Sequence, residues 1–171
     1  MPTVKDTPKE AIILLAHGSR VPEAGNGMER VVHRLREKLR DCIVEACYMS
    51  RLGPHFPEVF ERCVAGGAKK IILIPYFLHT GLHIVLDIPK MMQEKVKEFP
   101  GVKLILGKPL GFDECLVDLV ARRVEESRAF GDVRGLKLKT KDKYPLPPGQ
   151  YEFVMVPPEN AGQGSDHDSH S

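Results

Sequence analysis

Four short apolar runs alternate along the chain with longer segments in which apolar residues recur every three or four positions. The runs cover residues 11–16, 42–49, 71–75 and 102–106. Their length and β-branched content predict buried strands, and the periodic segments between them predict amphipathic helices. The β-α-β-α-β-α-β-α order predicts an α/β fold, with an open parallel β-sheet of about four strands and helices on both faces.

Proline and glycine mark the boundaries of the predicted helices. Pro54 is predicted in the first turn of the second helix, where its missing N–H costs nothing, and Gly66 and Gly67 are predicted to end that helix. Pro100 and Gly101 end the third helix. The last helix is predicted from its apolar positions, which are Phe112, Leu116, Leu119, Val120 and Val124.

Length and composition predict one domain followed by an extension. The chain has 171 residues, of which 42% are hydrophobic, enough for a single globular core. We assign this domain to residues 1–130. From residue 131 the composition becomes basic and rich in proline and glycine, and the chain ends in a polar Asp/His tail. We expect residues 131–171 to be partly disordered, with YEFVMV as one short strand.

Charge, hydropathy and cysteine usage argue against a nucleic-acid-binding, membrane-spanning or disulfide-bonded secreted protein. The net charge of +2 gives no reason to expect nucleic acid as a partner. No apolar run is long enough to span a membrane, and the charged N-terminus lacks the apolar core of a signal peptide, so we expect a cytoplasmic protein. No C-x-x-C pair is present. We therefore expect the cysteines to be reduced and buried, as small hydrophobic residues.

Candidate chemistry lies where the strands end. Ligands of open parallel sheets bind beyond the carboxyl ends of the strands. His17 follows the first strand, Ser50 and Arg51 follow the second, and a loop with His79 and His83 follows the third. We therefore expect these residues on one rim of the sheet.

The histidines also have a structural interpretation. A single histidine at a strand end commonly binds a neighbouring loop. After His17, however, come Gly18, which permits close backbone approach, and Ser19 and Arg20, which bind anions. Imidazole is the commonest side-chain ligand of divalent transition metals. Histidines with no carboxylate between them do not form a closed structural zinc site, so an open site completed by a substrate fits better.

Other motifs are weaker or missing. His33 falls on a polar helix face, and His55 is a lesser candidate for the rim. His167 and His170, in the Asp/His tail, are interpreted as solvated. There is no G-x-G-x-x-G after a strand, no phosphate-binding P-loop and no G-x-S-x-G, so no nucleotide cofactor is predicted.

Three segments together resemble a known family. LLAHGSR, IPYFLHTGLHIVLDIP and GVKLILGKPLG are similar to the small sirohydrochlorin cobaltochelatases, the short class II tetrapyrrole chelatases. The resemblance covers about residues 11–124. It implies a chelatase-like, flavodoxin-like domain, pairing as a homodimer around a central cleft, and a lyase that inserts Co²⁺, or in relatives Fe²⁺ or Ni²⁺, into sirohydrochlorin without ATP.

The resemblance also implies roles for individual residues. The family's metal-binding histidines correspond to His17 and His83, whereas His79 is an additional histidine. The glutamate that many members carry after the second strand is absent, because Ser50 and Gly53 stand where acids are common. Proton removal is therefore assigned to His79 or water. Sirohydrochlorin carries many carboxylates, and its predicted contacts are Ser19, Arg20, Ser50, Arg51 and Gly81.

Two alternatives remain open from the sequence. Imidazole accepts iron as readily as cobalt, so the enzyme could serve sirohaem rather than cobalamin synthesis. The histidines and the Asp/His tail also suit a metal-trafficking module without turnover. The basic stretch 134–143 has a weaker interpretation as an arm that docks a partner.

Overall fold

The computed structural model describes residues 9–19, 21, 25–49 and 53–138. The strands are β1 (Lys9–Ala16), β2 (Cys42–Tyr48), β3 (Ala68–Pro75) and β4 (Lys103–Leu106). The helices are α1 (Gly25–Lys38), α2 (Phe56–Ala65), α3 (Ile88–Val96) and α4 (Glu114–Ser127). A π-helical turn, His83–Asp87, leads directly into α3, and a short 3₁₀ turn, Val133–Gly135, follows α4.

The sheet confirms the predicted architecture. Its strand order is β2-β1-β3-β4, and every pairing is parallel. From β1 the chain runs to β2 on one side of it, and then returns past β1 to β3 on the other side. The strand order therefore reverses between β1 and β3. This reversal is the place where open α/β sheets bind ligands.

Two apolar clusters cover the two faces of the sheet. On one face, α2 and α3 pack against inward-facing strand residues such as Ile13 and Ile71, with Phe60 fully buried at the centre. On the other face, α1 packs Met28 and Val32 against β1 and β2. Strand side chains alternate between the faces, which explains why the strands are apolar throughout rather than at every second position.

The second helix differs slightly from its prediction. Pro54 lies outside α2, because His55 is the N-cap and the helix begins at Phe56 with Pro57 in its first turn. The predicted end is confirmed, since Gly66 is the C-cap and Gly67 has φ +92°. Glycine adopts this left-handed conformation without the steric cost of a Cβ atom.

The last helix has the predicted periodicity but leaves its apolar positions in solvent. No residue of α4 is buried. Val117, Val120 and Val124 are 49%, 61% and 50% exposed, and Phe112, which precedes the helix, is 76% exposed. The spacing of apolar residues predicts that a helix is amphipathic. It does not predict which surface, if any, covers the apolar side.

The expectation for the cysteines is correct for two of them. All four thiols are free, and Cys47 and Cys63 are buried. Cys115 is exposed and Cys42 is half-buried, which corrects the expectation that all would be buried. Burial raises the pKa of both core thiols, that of Cys63 to about 11. No helix within the described ranges combines the length and apolar character needed to cross a bilayer.

Candidate functional site at the carboxyl rim of the sheet

The carboxyl ends of β1, β2 and β3 are joined by hydrogen bonds that continue beyond the strands. The Met49 N–H donates to Ala16 O at 2.9 Å, and the Tyr76 N–H donates to Leu15 O at 2.7 Å. Each loop that leaves the rim is therefore fixed at its first residue. His17 follows this fixed end of β1, and the histidine loop follows that of β3.

His17 is exposed, and its backbone turns sharply. Gly18 has φ +84°, a left-handed conformation that favours glycine. His17 Nδ1 lies 3.2 Å from Gly18 O. In the Nδ1–H tautomer this contact is a hydrogen bond, and Nε2 then carries the lone pair that a metal ion requires.

Ser19 stabilises the turn that follows. Its Oγ accepts a hydrogen bond from the Val21 N–H at 3.1 Å, which is the usual way a serine supports a tight turn. The hydroxyl proton remains available as a donor to a carboxylate. The predicted contacts Arg20, Ser50 and Arg51 lie outside the described residues, so they stay predictions.

The loop after β3 brings the other two histidines to the same rim. His79 is exposed. His83 is the first residue of the π-helical turn, and its side chain lies outside the described part of the structure. Gly81 O accepts the N–H groups of Ile84 and Val85 at 3.0 and 3.2 Å. Gly81 therefore opens the helical segment, and π-helical turns of this kind occur frequently at functional sites.

Large exposed apolar side chains occur along this loop and in the π-helical turn that follows it. They are exposed by half or more of their surface, and we call them the apolar loop patch: Leu78 (50%), Leu82 (74%), Val85 (56%) and Leu86 (58%). Four large apolar side chains exposed within nine residues are a candidate binding surface.

A groove of about 990 Å³ opens beside His17 on the α1 side of the sheet. Tyr48, Tyr76 and Glu29 line it together with His17 and Ser19. Burial, reinforced by the Glu29 carboxylate, raises the pKa of the Tyr48 phenol. The phenol is therefore protonated at neutral pH and can donate a hydrogen bond into the groove.

Both tyrosines were missed in the sequence. Tyr48 is the last residue of β2 and Tyr76 directly follows β3. Position at a strand's carboxyl end, the rule that indicates His17, also indicates Tyr76, which follows the predicted strand 71–75. Tyr48 falls inside the predicted strand 42–49, so its place at the rim becomes visible only in the structure.

A smaller hollow of about 470 Å³ lies on the opposite side of the rim. His55 and Asp87 line it, and Tyr48 lies between it and the groove. Because His55 lines this hollow together with Tyr48 and Met49, this weaker candidate does reach the rim. Its Nδ1 atom is 3.8 Å from Glu58 Oε1. His33 is on the surface, as predicted, with 74% of its side chain exposed and Nε2 3.4 Å from a Glu37 oxygen.

The rim histidines come from two loops, His17 from the loop after β1, and His79 and His83 from the loop after β3. Among the side chains that the structure describes, which exclude that of His83, no three His, Cys, Asp or Glu groups lie close enough to hold an ion. The described part of the rim therefore presents the exposed His17 and His79 beside a groove and the apolar loop patch.

These features define a flavodoxin-like α/β protein with a histidine-bearing rim at the point where its strand order reverses. The chain belongs to the CbiX family, whose model matches residues 11–127. This is the family of the sirohydrochlorin chelatases, and the fold and the resemblance in the sequence are thereby confirmed.

Individual relatives act on different metals. The chain is 32% identical to a sirohydrochlorin ferrochelatase of Priestia megaterium, over 69% of this chain and 44% of that protein. It is also 32% identical to a sirohydrochlorin cobaltochelatase of Methanococcus aeolicus, over 68% of this chain and 98% of that protein. The chain thus spans less than half of one relative and nearly all of the other.

A solved structure is likewise matched over only half of its length. The chelatase SirB of Bacillus subtilis subspecies spizizenii, in complex with cobalt, superposes with a TM-score of 0.64 at 30% identity. The match covers 69% of this chain and 50% of SirB.

Proposed function

We propose that this chain inserts a divalent metal ion, cobalt(II) in the first instance, into sirohydrochlorin without ATP. The observation that carries the proposal is the rim itself. His17 and the His79–His83 loop follow adjacent central strands at the reversal point of a chelatase-family sheet. We assign metal binding to His17 and His83.

Imidazole suits a metal that must be handed over. A chelatase holds a partly dehydrated ion and then releases it to pyrrole nitrogens as these lose their protons. Neutral imidazoles are reversible ligands for such metals, and a histidine that titrates near pH 7 also accepts protons. We assign proton acceptance to His79 or to water, since the side chain of His79 is exposed on the same loop.

The surroundings of the histidines suit the tetrapyrrole. The apolar loop patch offers a surface for the flat face of the macrocycle. Peripheral carboxylates would accept hydrogen bonds from Ser19 and from the protonated Tyr48, and from Arg20 and Arg51 as predicted from the sequence. In this proposal the groups that bind the tetrapyrrole and those that bind the metal share one rim.

We further propose that the working unit is a homodimer. The relatives of about twice the length align with this chain through only half of themselves. A second copy would supply the other half of the cleft. This length relation supports the dimer, and sedimentation as a monomer at working concentrations would contradict it.

The first test is an anaerobic absorption time course with sirohydrochlorin and cobalt(II). We expect His17→Ala and His83→Ala to slow insertion by about 100-fold or more, the range for losing a group that acts directly in the reaction. His33→Ala is the matched control, because His33 is an exposed histidine on α1, away from the rim. Full activity in His17→Ala would refute the assignment of the ligands.

Iron is the second candidate metal, because the ferrochelatase and cobaltochelatase relatives are equally identical to this chain. The same assay with iron(II) and nickel(II), run beside cobalt(II), ranks the metals by rate. Stoichiometric metal binding with no affinity for sirohydrochlorin would instead favour the metal-trafficking module.

A further inference from the structure

The π-helical turn carries a carboxylate to which the proposed function assigns no role. His83 and Asp87 are the first and last residues of this turn, which continues without a break into α3. Asp87 has φ −76° and ψ −44°, so its own backbone is helical. The two residues therefore belong to one continuous helical segment and stand four positions apart in it.

Burial along this segment shows which positions share a side. Ile84 and Ile88 are 8% and 0% exposed and belong to the apolar cluster under α2 and α3. The first two residues after Ile84 are more than half exposed. Residues four apart in a helix lie one above the other. Since positions 84 and 88 form the buried row, positions 83 and 87 form the neighbouring row on its flank.

The side chain of Asp87 lies at the wall of the hollow of about 470 Å³. It is half-buried there, with His55 at the start of α2 and Met91 one turn further along α3. An aspartate at the start of a helix commonly accepts a hydrogen bond from a backbone N–H of the first turn. The Asp87 side chain makes no such capping bond to α3, because the helical backbone already begins at His83. The carboxylate is therefore not used as a cap.

The direction of helical side chains brings this carboxylate toward position 83. Side chains of a helix lean toward its N-terminus, so each residue covers the turn that precedes its own Cα atom. The chain already shows a pair with the same order and spacing in α1. There His33 precedes Glu37 by four residues, and His33 Nε2 lies 3.4 Å from Glu37 Oε1. A histidine followed four residues later by a carboxylate can therefore form a contact within one helical turn.

We propose that Asp87 is a positioning residue for His83. Its carboxylate accepts the N–H of one ring nitrogen of the imidazole, which leaves the other nitrogen unprotonated for the metal ion. Metal-binding histidines commonly donate their second ring nitrogen to a carboxylate, which fixes the tautomer and the orientation of the ring and makes it a more basic ligand. This inference rests on the part of the proposed function that assigns metal binding to His83.

The contact would give His83 the same kind of support that His17 has. The Gly18 carbonyl oxygen lies 3.2 Å from His17 Nδ1, so a backbone group holds one nitrogen of that ring. Each of the two imidazoles would then present a single unprotonated nitrogen at the rim. Since a carboxylate is charged and a carbonyl group is not, His83 would be the stronger ligand of the two.

Cobalt(II) binding to the full chain, without sirohydrochlorin, tests the positioning role. We expect Asp87→Ala and Asp87→Asn to raise the dissociation constant for cobalt(II) by about 10–100-fold, the range for removing the partner of a metal-binding histidine. Glu94→Gln is the matched control, because Glu94 lines the same hollow but lies roughly 15 Å along the helix axis from position 83. It should leave the constant unchanged. Parent affinity in Asp87→Ala would refute the proposal.

A double variant separates positioning from a general loss of packing. In a chain that already carries His83→Ala, Asp87→Ala should change the cobalt(II) dissociation constant by less than about twofold, because its effect acts through the imidazole. Equal losses with and without His83 would overturn the proposal, since the aspartate would then act on the fold or on the metal directly.

Nitrogen NMR of the metal-free protein provides a readout that does not depend on the metal. With ¹⁵N-labelled histidine at about pH 9, where imidazole is neutral, we expect one tautomer of His83 in the parent chain and a mixture in Asp87→Ala. A mixture already present in the parent would overturn the proposal. Parent cobalt(II) affinity in His83→Ala would refute the ligand assignment of the proposed function. A single tautomer that is lost in Asp87→Ala would still support the contact in that case.

Discussion

Replacing Cys63 by alanine should make the stability of the fold less sensitive to alkaline pH. Cys63 is fully buried in the cluster under α2. Burial, with a further contribution from the Glu45 carboxylate, raises the pKa of its thiol from 9.0 to about 11. The folded protein therefore keeps this proton in a range of pH where the unfolded chain has lost it.

The direction in which stability changes with pH follows from the folded and unfolded pKa values of Cys63. Because the folded pKa is above the unfolded one, unfolding releases a proton between pH 9 and 11, and stability falls as the pH rises through this window. A single group with these two pKa values lowers the free energy of unfolding at pH 10 by about 1.4 kcal/mol relative to pH 7. At pH 11 the loss is about 2.3 kcal/mol. Cys47 acts in the same direction, since burial also raises its pKa.

Urea unfolding at pH 7, 9 and 10 measures the effect. The alanine variant loses packing at every pH, so the informative quantity is the change in unfolding free energy between pH 7 and pH 10. We expect this change to be smaller in Cys63→Ala than in the parent chain by about 1.4 kcal/mol. Lysines and tyrosines titrate equally in both proteins and cancel. Identical pH dependence in the two proteins would refute the reasoning.

Three further predictions concern packing, anchoring and thiol access. Phe60→Ala should lower the unfolding free energy by about 3–5 kcal/mol, because Phe60 is fully buried; Phe130→Ala, at a side chain 75% exposed, should change it by less than about 0.5 kcal/mol. The Arg36 Nε and Nη2 atoms donate to Val44 O at 2.9 and 2.7 Å. Arg36→Lys removes this pair of hydrogen bonds and should lower the free energy of unfolding in urea by about 1 kcal/mol. Equal stability of the variant would contradict the role of Arg36 in fixing α1 to β2. At pH 8 a thiol reagent should modify Cys115 in the folded protein and the two core thiols after unfolding; early modification of a core thiol would show that the cluster opens locally.

The sheet was predictable because its strands carry two independent signals. The strands β1 and β3 are apolar on both faces, which is typical of a central parallel strand, and each is followed at once by a polar turn residue or a loop. Parallel order then places their carboxyl ends on one rim. His17 and His79 could therefore be assigned to that rim from the sequence.

Features that depend on contacts between distant segments could not be predicted in the same way. The π-helical turn at His83 breaks the 3.6-residue period, so the sequence indicates a loop where the backbone is already helical. Val120 is 61% exposed, and whether another surface covers an apolar helix side depends on segments distant in the sequence, which periodicity does not encode. The groove near Tyr48 arises because β2 ends beside α1, which is a tertiary relation.

The hydrogen bonds that continue past the strand ends have a consequence for how this site can change. The Met49 and Tyr76 amides hold the first residue of each rim loop to β1, and the next backbone tie along the β3 loop is the Phe77 carbonyl that receives Gly111. Beyond these ties, residues 78–82 project outward with exposed side chains. Substitutions or insertions at this apex alter the surroundings of His79 while the strand register stays fixed. The chemistry presented by this loop can therefore change through a few apex residues at little cost in folding stability.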